Sequence, residues 1–286
     1  MIKKKNLLIK NSIQQNCLNR VGLNKLYNEF QNFFLEVNND INSSQKTLNV
    51  LSSKLKLNFK TKDLQSFKKF KTIIVVGMGG SILGAEAIYG FFEKKIKKKF
   101  VFLDNLDEDK ILDLKKKKNL NKVLFLVISK SGSTIETLSN LFSLNILKNR
   151  SKNIILISEK KNNVLFNLSK KQNLFFVEHK NYIGGRYSVL SEVGVIPAYL
   201  MGIDIIKLRS KILSFLKTKE KIFLKDSTVK LANLLNTKKI NNLIFLNYSP
   251  KLEKFLFWCQ QLIAESLGKK GKGFLPIVSN VPKDHH

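Results

Sequence analysis

The chain has 286 residues, 43% of them hydrophobic, which allows one or two packed domains and excludes a disordered protein. Lysine and arginine number 51 against 21 acidic residues, and the resulting net charge of +30 is compatible with a nucleic acid or an anionic membrane as partner. The excess is nearly all lysine and is spread along the chain with asparagine and isoleucine, as an AT-rich genome would produce. We therefore expect a solvated surface and neither partner.

Residues 1–50 are predicted to form a peripheral helical segment. Leu23, Leu26 and Phe30, followed by Phe33 and Phe34, recur at helical spacing in a polar background. The apolar run at residues 7–9 is too short for a signal sequence.

Residues 51–205 are predicted to form a doubly wound α/β domain with a parallel sheet. Apolar runs at 71–77, 100–104, 123–128, 153–158 and 174–177 are typical of buried parallel strands. Helical patterns at 81–92, 107–117, 134–147 and 164–168 alternate with them. The stretch 73–92 is the only one near membrane-spanning length. It contains a glycine turn, so we interpret it as strand, turn and helix.

Residues 206–286 are predicted to begin a second α/β unit. A helical region at 206–238 precedes a strand at 243–246 and a helix at 252–267, and the sequence ends soon afterwards. We expect the chain to be a fragment, or to end before this unit is complete.

The two cysteines indicate a reducing compartment. Cys17 and Cys259 are far apart, and no Cys/His spacing typical of zinc occurs. We therefore expect no disulfide framework, no metal site and a location in the cytoplasm.

The first candidate binding feature is the turn Gly77-Met78-Gly79-Gly80-Ser81, directly after the first predicted strand. Glycines let a ligand approach the backbone closely, and the following helix N-terminus favours an anion. Ile82 stands where a dinucleotide-binding pattern requires its last glycine. Asp104, at the end of the second strand, does fit such a pattern. NAD binding therefore stays open only as an alternative. A tight turn without a ligand is the other alternative.

The second candidate feature is the turn Ser129-Lys130-Ser131-Gly132-Ser133-Thr134. Ser133 and Glu136 fit a capping box, but such a box explains neither Ser129 nor Ser131. Hydroxyls, backbone N–H groups and a helix N-terminus that bind a phosphate explain the whole set. Both turns follow parallel strands, so we expect them to share one edge of the sheet and to bind a phosphorylated small molecule.

Four motifs together resemble one known family. GMGGS at 77–81, SKSGST at 129–134, GGRYSVLSEVG at 184–194 and AESLGKKGKG at 264–273 occur in this order. They resemble the glucose-6-phosphate isomerase family, which has two sugar-isomerase (SIS) domains. The resemblance covers about residues 70–286. It implies a flavodoxin-like three-layer αβα fold, with 51–205 as the first SIS domain and 206–286 as the start of the second.

The resemblance also implies an activity without metal or cofactor: reversible conversion of glucose 6-phosphate to fructose 6-phosphate through a cis-enediol. Arg186 would stabilise charge on the enediolate oxygen, and Glu265 would be the base that moves a proton between C2 and C1. Without the resemblance, Arg186 fits a structural ion pair and Glu265 a surface carboxylate. The implied substrate-binding residues are Gly80 and Ser81 for the sugar, and Ser129, Lys130, Ser131 and Thr134 for the phosphate.

A histidine for ring opening is implied as well, contributed by the neighbouring subunit of a homodimer. His286 is the best match, with His285 in the place of the glutamine of the family's Gln-His-Ala motif. His179 has no motif around it and is predicted to be a loop residue. The lysine and glutamine that complete the family's site near its C-terminus have no counterpart.

The sequence departs from the family pattern at two turns. SGST stands where Thr-Phe-Thr-Thr is common, and ESLG where ESNG is common. Two alternatives stay open. A SIS-domain sensor that binds a sugar phosphate and regulates a partner would need neither Glu265 nor Arg186. A dual phosphoglucose/phosphomannose isomerase fits the GGRYS and ESLGK runs less well.

Overall fold

The structure, a computed structural model, describes residues 13–117, 119–147, 150–210, 212–216, 220–237 and 240–281. It begins with the predicted helical segment as one long helix, α1 (Arg20–Asn42). The side chain of Asn19 accepts a hydrogen bond from the N–H of Gly22 and thereby caps α1. Phe30 is buried and stacks on Phe34, whereas Phe33 is half exposed.

A five-stranded parallel sheet forms the centre of the molecule. Its strands are β1 (Thr72–Val76), β2 (Lys99–Leu103), β3 (Val123–Ile128), β4 (Ile154–Ser158) and β5 (Phe175–Glu178), in the order β2-β1-β3-β4-β5. Every residue of β3 and β4 is buried, as parallel strands covered on both faces require. The strand order reverses between β1 and β3, and in open α/β sheets ligands bind beyond the carboxyl ends of the strands at such a point.

Five helices cover this sheet: α2 (Leu83–Phe92), α3 (Glu108–Lys117), α4 (Ile135–Ser143), α5 (Val164–Lys171) and α6 (Glu192–Leu200). Side chains of β1 alternate between two apolar cores. Ile73 and Val75 pack with α2 and α6, and Ile74 and Val76 pack with α3, α4 and α5. Each fully buried Ile or Val contributes roughly 1.5–3 kcal/mol to stability. The predicted three-layer α/β fold is therefore confirmed.

One predicted helix end was wrong. Helix α4 ends at Ser143 rather than at residue 147, because Asn145 adopts a left-handed backbone conformation with φ of 51°. Helix α6 contains Pro197 and continues to Leu200. Nearly all residues of α6 are buried, and this packing outweighs the hydrogen bond that the proline removes.

The helical region after the sheet consists of α7 (Ile205–Ser210), a short 3-10 segment and α8 (Glu220–Thr237). Helix α8 packs against the N-terminal helix α1. Asn19 and Asn233 exchange two hydrogen bonds of 2.9 Å, and the hydroxyl of Tyr27 donates to Asp226 at 2.5 Å. The peripheral helix α1 is thus attached to the helices that precede the second sheet.

The second α/β unit is a single parallel β-α-β element: β6 (Asn242–Asn247), α9 (Glu253–Leu267) and β7 (Leu275–Asn280). The sequence predicted β6 and α9 but not β7, in which Pro276 interrupts the strand pattern. Helix α9 packs against α2 of the first unit. Within the described ranges, no helix is both long and apolar enough to cross a membrane.

Candidate active site

Three hydroxyls converge in the turn between β3 and α4. The Oγ atom of Ser129 lies 2.8 Å from Oγ1 of Thr134 and 3.4 Å from Oγ of Ser131, which is itself 3.4 Å from Oγ1 of Thr134. Gly132, with φ of 70°, lets the chain fold back, so that its N–H donates to Ser129 Oγ at 3.1 Å. This hydroxyl cluster lies at the start of α4, where the helix dipole favours an anion.

The predicted capping box in this turn was wrong. The helix cap is Thr134 rather than Ser133, and its hydroxyl bonds to Ser129 instead of to the first turn of α4. The amine of Lys130 is engaged elsewhere. Its Nζ donates to the carbonyl of Asn181 at 2.7 Å and lies 3.7 Å from the carboxylate of Glu159. Contact between Lys130 and a phosphate stays a prediction.

The glycine turn after β1 is packed against the GGRYS segment, backbone to backbone. A Cβ on Gly80 would lie 2.3 Å from the carbonyl carbon of Gly185 and 2.7 Å from the amide nitrogen of Arg186. The hydroxyl of Ser188 donates to the carbonyl of Gly80 at 3.0 Å. Gly80 is therefore required for this close approach, whatever else it contacts. Ser81, which completes the turn, is partly exposed beside it.

Arg186 and Glu265 are 79 residues apart in sequence and meet at this turn. The guanidinium NH1 of Arg186 lies 3.3 Å from Oε2 of Glu265, and its Nε donates to the hydroxyl of Ser266 at 2.9 Å. The Arg186 side chain is 21% exposed and that of Glu265 is 47% exposed, so the pair can be reached from solvent. Arg186 also stacks on the ring of Tyr187, 4.8 Å from its centroid.

Two side chains of α9 support this pair, and no motif in the sequence assigns them a function. Trp258 donates its indole N–H to the carbonyl of Arg186 at 2.9 Å, and Gln261 donates to Oε1 of Glu265 at 2.7 Å. They precede Glu265 by seven and four residues, which is the helical spacing that places side chains on one face. This spacing indicates that Trp258 and Gln261 share a helix face with Glu265. It does not indicate that they support the ion pair, because the sequence does not show that Arg186 lies beside this face.

An ion pair between a buried carboxylate and a partly exposed lysine joins α9 to α2 beside the site. Lys254 donates to Oε1 of Glu86 at 2.9 Å, and Glu86 is buried with its second oxygen unpaired among the described residues. Burial raises the pKa of Glu86, and the nearby Lys254 offsets part of this increase. Loss of Lys254 would leave the carboxylate of Glu86 buried without a partner, whereas the partly exposed amine of Lys254 can be solvated if Glu86 is lost.

His179 follows β5 and is a buried loop residue. It is 2% exposed, and neither ring nitrogen has a hydrogen-bond partner within the described ranges. Burial, together with the positive charge of Lys130, lowers the pKa of His179 to about 4. The imidazole is therefore neutral near pH 7.

We expect His179 to make the stability dependent on pH. Below about pH 6.5 the unfolded chain binds a proton at this residue, whereas the folded protein does not until about pH 4. Stability from this residue is complete above about pH 6.5 and decreases as the pH falls, by on the order of 2 kcal/mol at pH 5. Urea unfolding at pH 7 and pH 5 should show a smaller difference for His179→Leu than for the wild type. Equal differences would contradict this account.

The predicted site residues lie along one edge of the molecule. The hydroxyl cluster follows β3, the glycine turn follows the adjacent β1, and a Cβ on Gly77 would lie 3.0 Å from the carbonyl of Ile128. From the glycine turn, contacts continue to Arg186 and Glu265. His285 and His286 lie outside the described residues. Among those described, no three His, Cys, Asp or Glu side chains are grouped closely enough to bind a metal ion.

Known proteins share this architecture. A hypothetical protein from Thermus thermophilus is 25% identical, with a TM-score of 0.71 over 93% of this chain and 69% of its own. A glucose-6-phosphate isomerase structure from Chlamydia trachomatis has a TM-score of 0.61 at 20% identity, covering 90% of this chain and 59% of its own. The strand order is that of flavodoxin-like sheets, and the similarity to these structures places the fold in the sugar-isomerase (SIS) class of α/β proteins.

Sequence relatives narrow this class. A family model described as Phosphoglucose isomerase matches residues 34–273. The protein named glucose-6-phosphate isomerase of Methanocaldococcus jannaschii is 34% identical over 78% of this chain and 57% of its own length, and that of Campylobacter jejuni is 33% identical over the same shares. The chain belongs to the phosphoglucose isomerase family. It spans about half the length of the curated relatives it matches.

Proposed function

We propose that this chain carries the sugar-phosphate site and the proton-transferring residues of a glucose-6-phosphate isomerase. The observation that supports this most strongly is the solvent-accessible pair of Arg186 and Glu265 beside the glycine turn. A sensor of sugar phosphates would need a phosphate site but no carboxylate aligned with an arginine. The names of the relatives support the choice of substrate.

The 6-phosphate would bind at the hydroxyl cluster. Ser129, Ser131 and Thr134 bond to one another, and they can redirect their hydroxyls to phosphate oxygens without moving the backbone. Gly80 and Ser81 would contact the sugar chain next to it. Binding at both turns would bring C1 and C2 of the open-chain sugar toward Glu265.

Glu265 would act as the base. It removes the proton from C2 of the aldose, the C–H electron pair forms the C1–C2 double bond of the enediolate, and the π pair of the C1 carbonyl moves onto O1. A proton passes from O2 to O1, the double bond to oxygen forms at C2, and the proton held by Glu265 is returned to C1 to give the ketose. Gln261 holds Oε1 at 2.7 Å and leaves Oε2 for this transfer. The contact of Oε2 with Arg186 is longer, 3.3 Å, so a substrate oxygen can replace it and bring the guanidinium onto the developing negative charge.

The remaining parts of the predicted assignment extend this proposal. His286, preceded by His285, would open the sugar ring from the neighbouring subunit of a homodimer, and the reaction would need no metal or cofactor. Residues 1–50, 51–205 and 206–286 would be a helical segment, a first SIS domain and the start of a second. The location would be the cytoplasm, as the sequence with its two distant cysteines suggests.

Thr134→Val should weaken binding of fructose 6-phosphate by about tenfold to hundredfold, because charge-assisted hydrogen bonds to phosphate are worth roughly 1.5–3 kcal/mol. Calorimetric titration measures this change. Ser133→Ala is the matched control in the same turn, since the Ser133 side chain is exposed outside the cluster. Equal losses in both variants would argue against a phosphate site at the cluster.

Isotope exchange tests the activity itself. Fructose 6-phosphate is incubated with the protein in D₂O and followed by NMR. The proposal predicts glucose 6-phosphate that carries deuterium at C2. Binding of the sugar without any exchange would overturn the isomerase assignment in favour of a sensor, and formation of mannose 6-phosphate would indicate the dual isomerase.

A further inference from the structure

A cavity lies at the edge of the five-stranded sheet where the strands begin, opposite the edge that carries the candidate active site. It has a volume of about 830 Å³, within the usual range of roughly 300–1,000 Å³ for ligand pockets. Four lysines line it, together with asparagine, serine and threonine, and no acidic residue does. The lysines are Lys69, Lys71, Lys122 and Lys152.

Positive charge is concentrated along this edge. The segments that lead into the five strands are 68–71, 93–98, 119–122, 150–153 and 170–174, and each contains lysine or arginine. Glu93 is the only acidic residue in them. Parallel strands begin at the same edge of a sheet, so the topology brings these segments together. The fold therefore gathers at one edge lysines that are spread along the sequence.

The lysines of the two edges differ in their partners. At the candidate active site, Lys130 and Lys161 contact Glu159, and Lys180 contacts Glu192. None of the four cavity lysines forms an ion pair with a described carboxylate. Lys98, which lies on the same edge outside the cavity, has a lowered pKa, because it is partly buried and because Lys68 is nearby.

The lining also indicates the class of ligand. A single carboxylate or monophosphate has too few oxygens to contact several of these lysines, whereas linked phosphates can contact several ammonium groups at once. Phe70 is the only aromatic residue of the lining and is 8% exposed, so it offers no ring face for a base. No exposed large apolar side chain is present to enter a membrane.

From these observations we infer that the cavity at the strand-entry edge binds an anion with several linked phosphate groups, such as an inorganic or organic polyphosphate. The site is separate from the hydroxyl cluster, which lies at the other end of the strands. The protein could therefore bind a polyphosphate and a sugar phosphate at the same time, because the two ligands would contact different residues.

Titration calorimetry with inorganic tripolyphosphate tests this inference. The wild-type protein should bind it, and orthophosphate at equal ionic strength should bind about tenfold more weakly or worse. The double variant Lys71→Gln/Lys122→Gln should lose about tenfold or more in affinity. Thr134→Val, which alters the hydroxyl cluster, should leave this affinity unchanged.

The matched control removes the same charge at the other end of the sheet. Lys54 and Lys56 are exposed, and neither forms an ion pair with a described residue. The variant Lys54→Gln/Lys56→Gln should bind tripolyphosphate within about twofold of the wild type. Three results would overturn the inference: equal losses of tripolyphosphate affinity in the two double variants, no binding of tripolyphosphate to the wild type, or a loss of this affinity in Thr134→Val. Tighter binding of a DNA oligonucleotide than of tripolyphosphate would replace it with a nucleic-acid partner. Thermal unfolding of all variants checks that each is folded.

Discussion

Glu265→Gln is expected to lower kcat for fructose 6-phosphate by about 10²–10⁴-fold, the usual contribution of a positioned acid or base. Glutamine keeps the size of the side chain and an oxygen for the bond from Gln261, but it cannot accept the proton that leaves C1 of fructose 6-phosphate. KM should change by less than about threefold, because the phosphate contacts that bind the sugar are unaltered. A coupled assay of glucose 6-phosphate formation measures both constants.

Glu253→Gln is the matched control for this experiment. Glu253 begins the same helix and accepts a hydrogen bond from Asn280 at 3.1 Å, far along α9 from Arg186. Its kcat should stay within about twofold of the wild type. If Glu265→Gln keeps most of the activity, another group must be the base. If both variants lose activity equally, the effect lies in the helix rather than in the carboxylate.

Gly80→Ala is expected to lower the free energy of unfolding by about 3 kcal/mol or more. The new methyl group would lie 2.3 Å from the carbonyl carbon of Gly185 and 2.6 Å from its oxygen. These are backbone atoms, so no side chain can rotate away, and the segment that carries Arg186 must move. Chemical denaturation measures the loss, and activity should fall further than stability alone explains.

Gly90→Ala provides the comparison on the neighbouring helix α2. A Cβ there meets nothing closer than 3.6 Å, and alanine favours a helix by about 1 kcal/mol over glycine. This variant should be as stable as the wild type or more so. A similar loss of stability in both variants would show that the close contact at Gly80 is not the cause.

The sequence predicts the sheet and its two turns well because these depend on local patterns. The run that became β3 is continuously apolar, and its observed bounds, Val123–Ile128, are those predicted. The composition of the hydroxyl turn predicts a binding site. The prediction of its helix cap was wrong, because the hydroxyl of Thr134 bonds to Ser129 and not to the first turn of its own helix.

Contacts between distant segments were beyond such patterns. The amine of Lys130 lies against Asn181, 51 residues away, and Gly80 lies against Gly185. Neither pairing follows from periodicity or composition, because each depends on how complete elements pack. The meeting of Arg186 and Glu265 was expected from a family resemblance and not from the residues themselves. The basic edge was missed for a related reason, since only the topology assembles its separate lysines.

The candidate active site is complete only when helix α9 is folded and packed against the first unit. The carboxylate of Glu265 belongs to the helix that Lys254 and Trp258 fasten to the first unit. Docking of this helix and formation of the pair with Arg186 are therefore one cooperative step, and a molecule with α9 detached has no aligned base. In native-state hydrogen exchange, the amides of α9 and of residues 185–190 should open together with a single free energy.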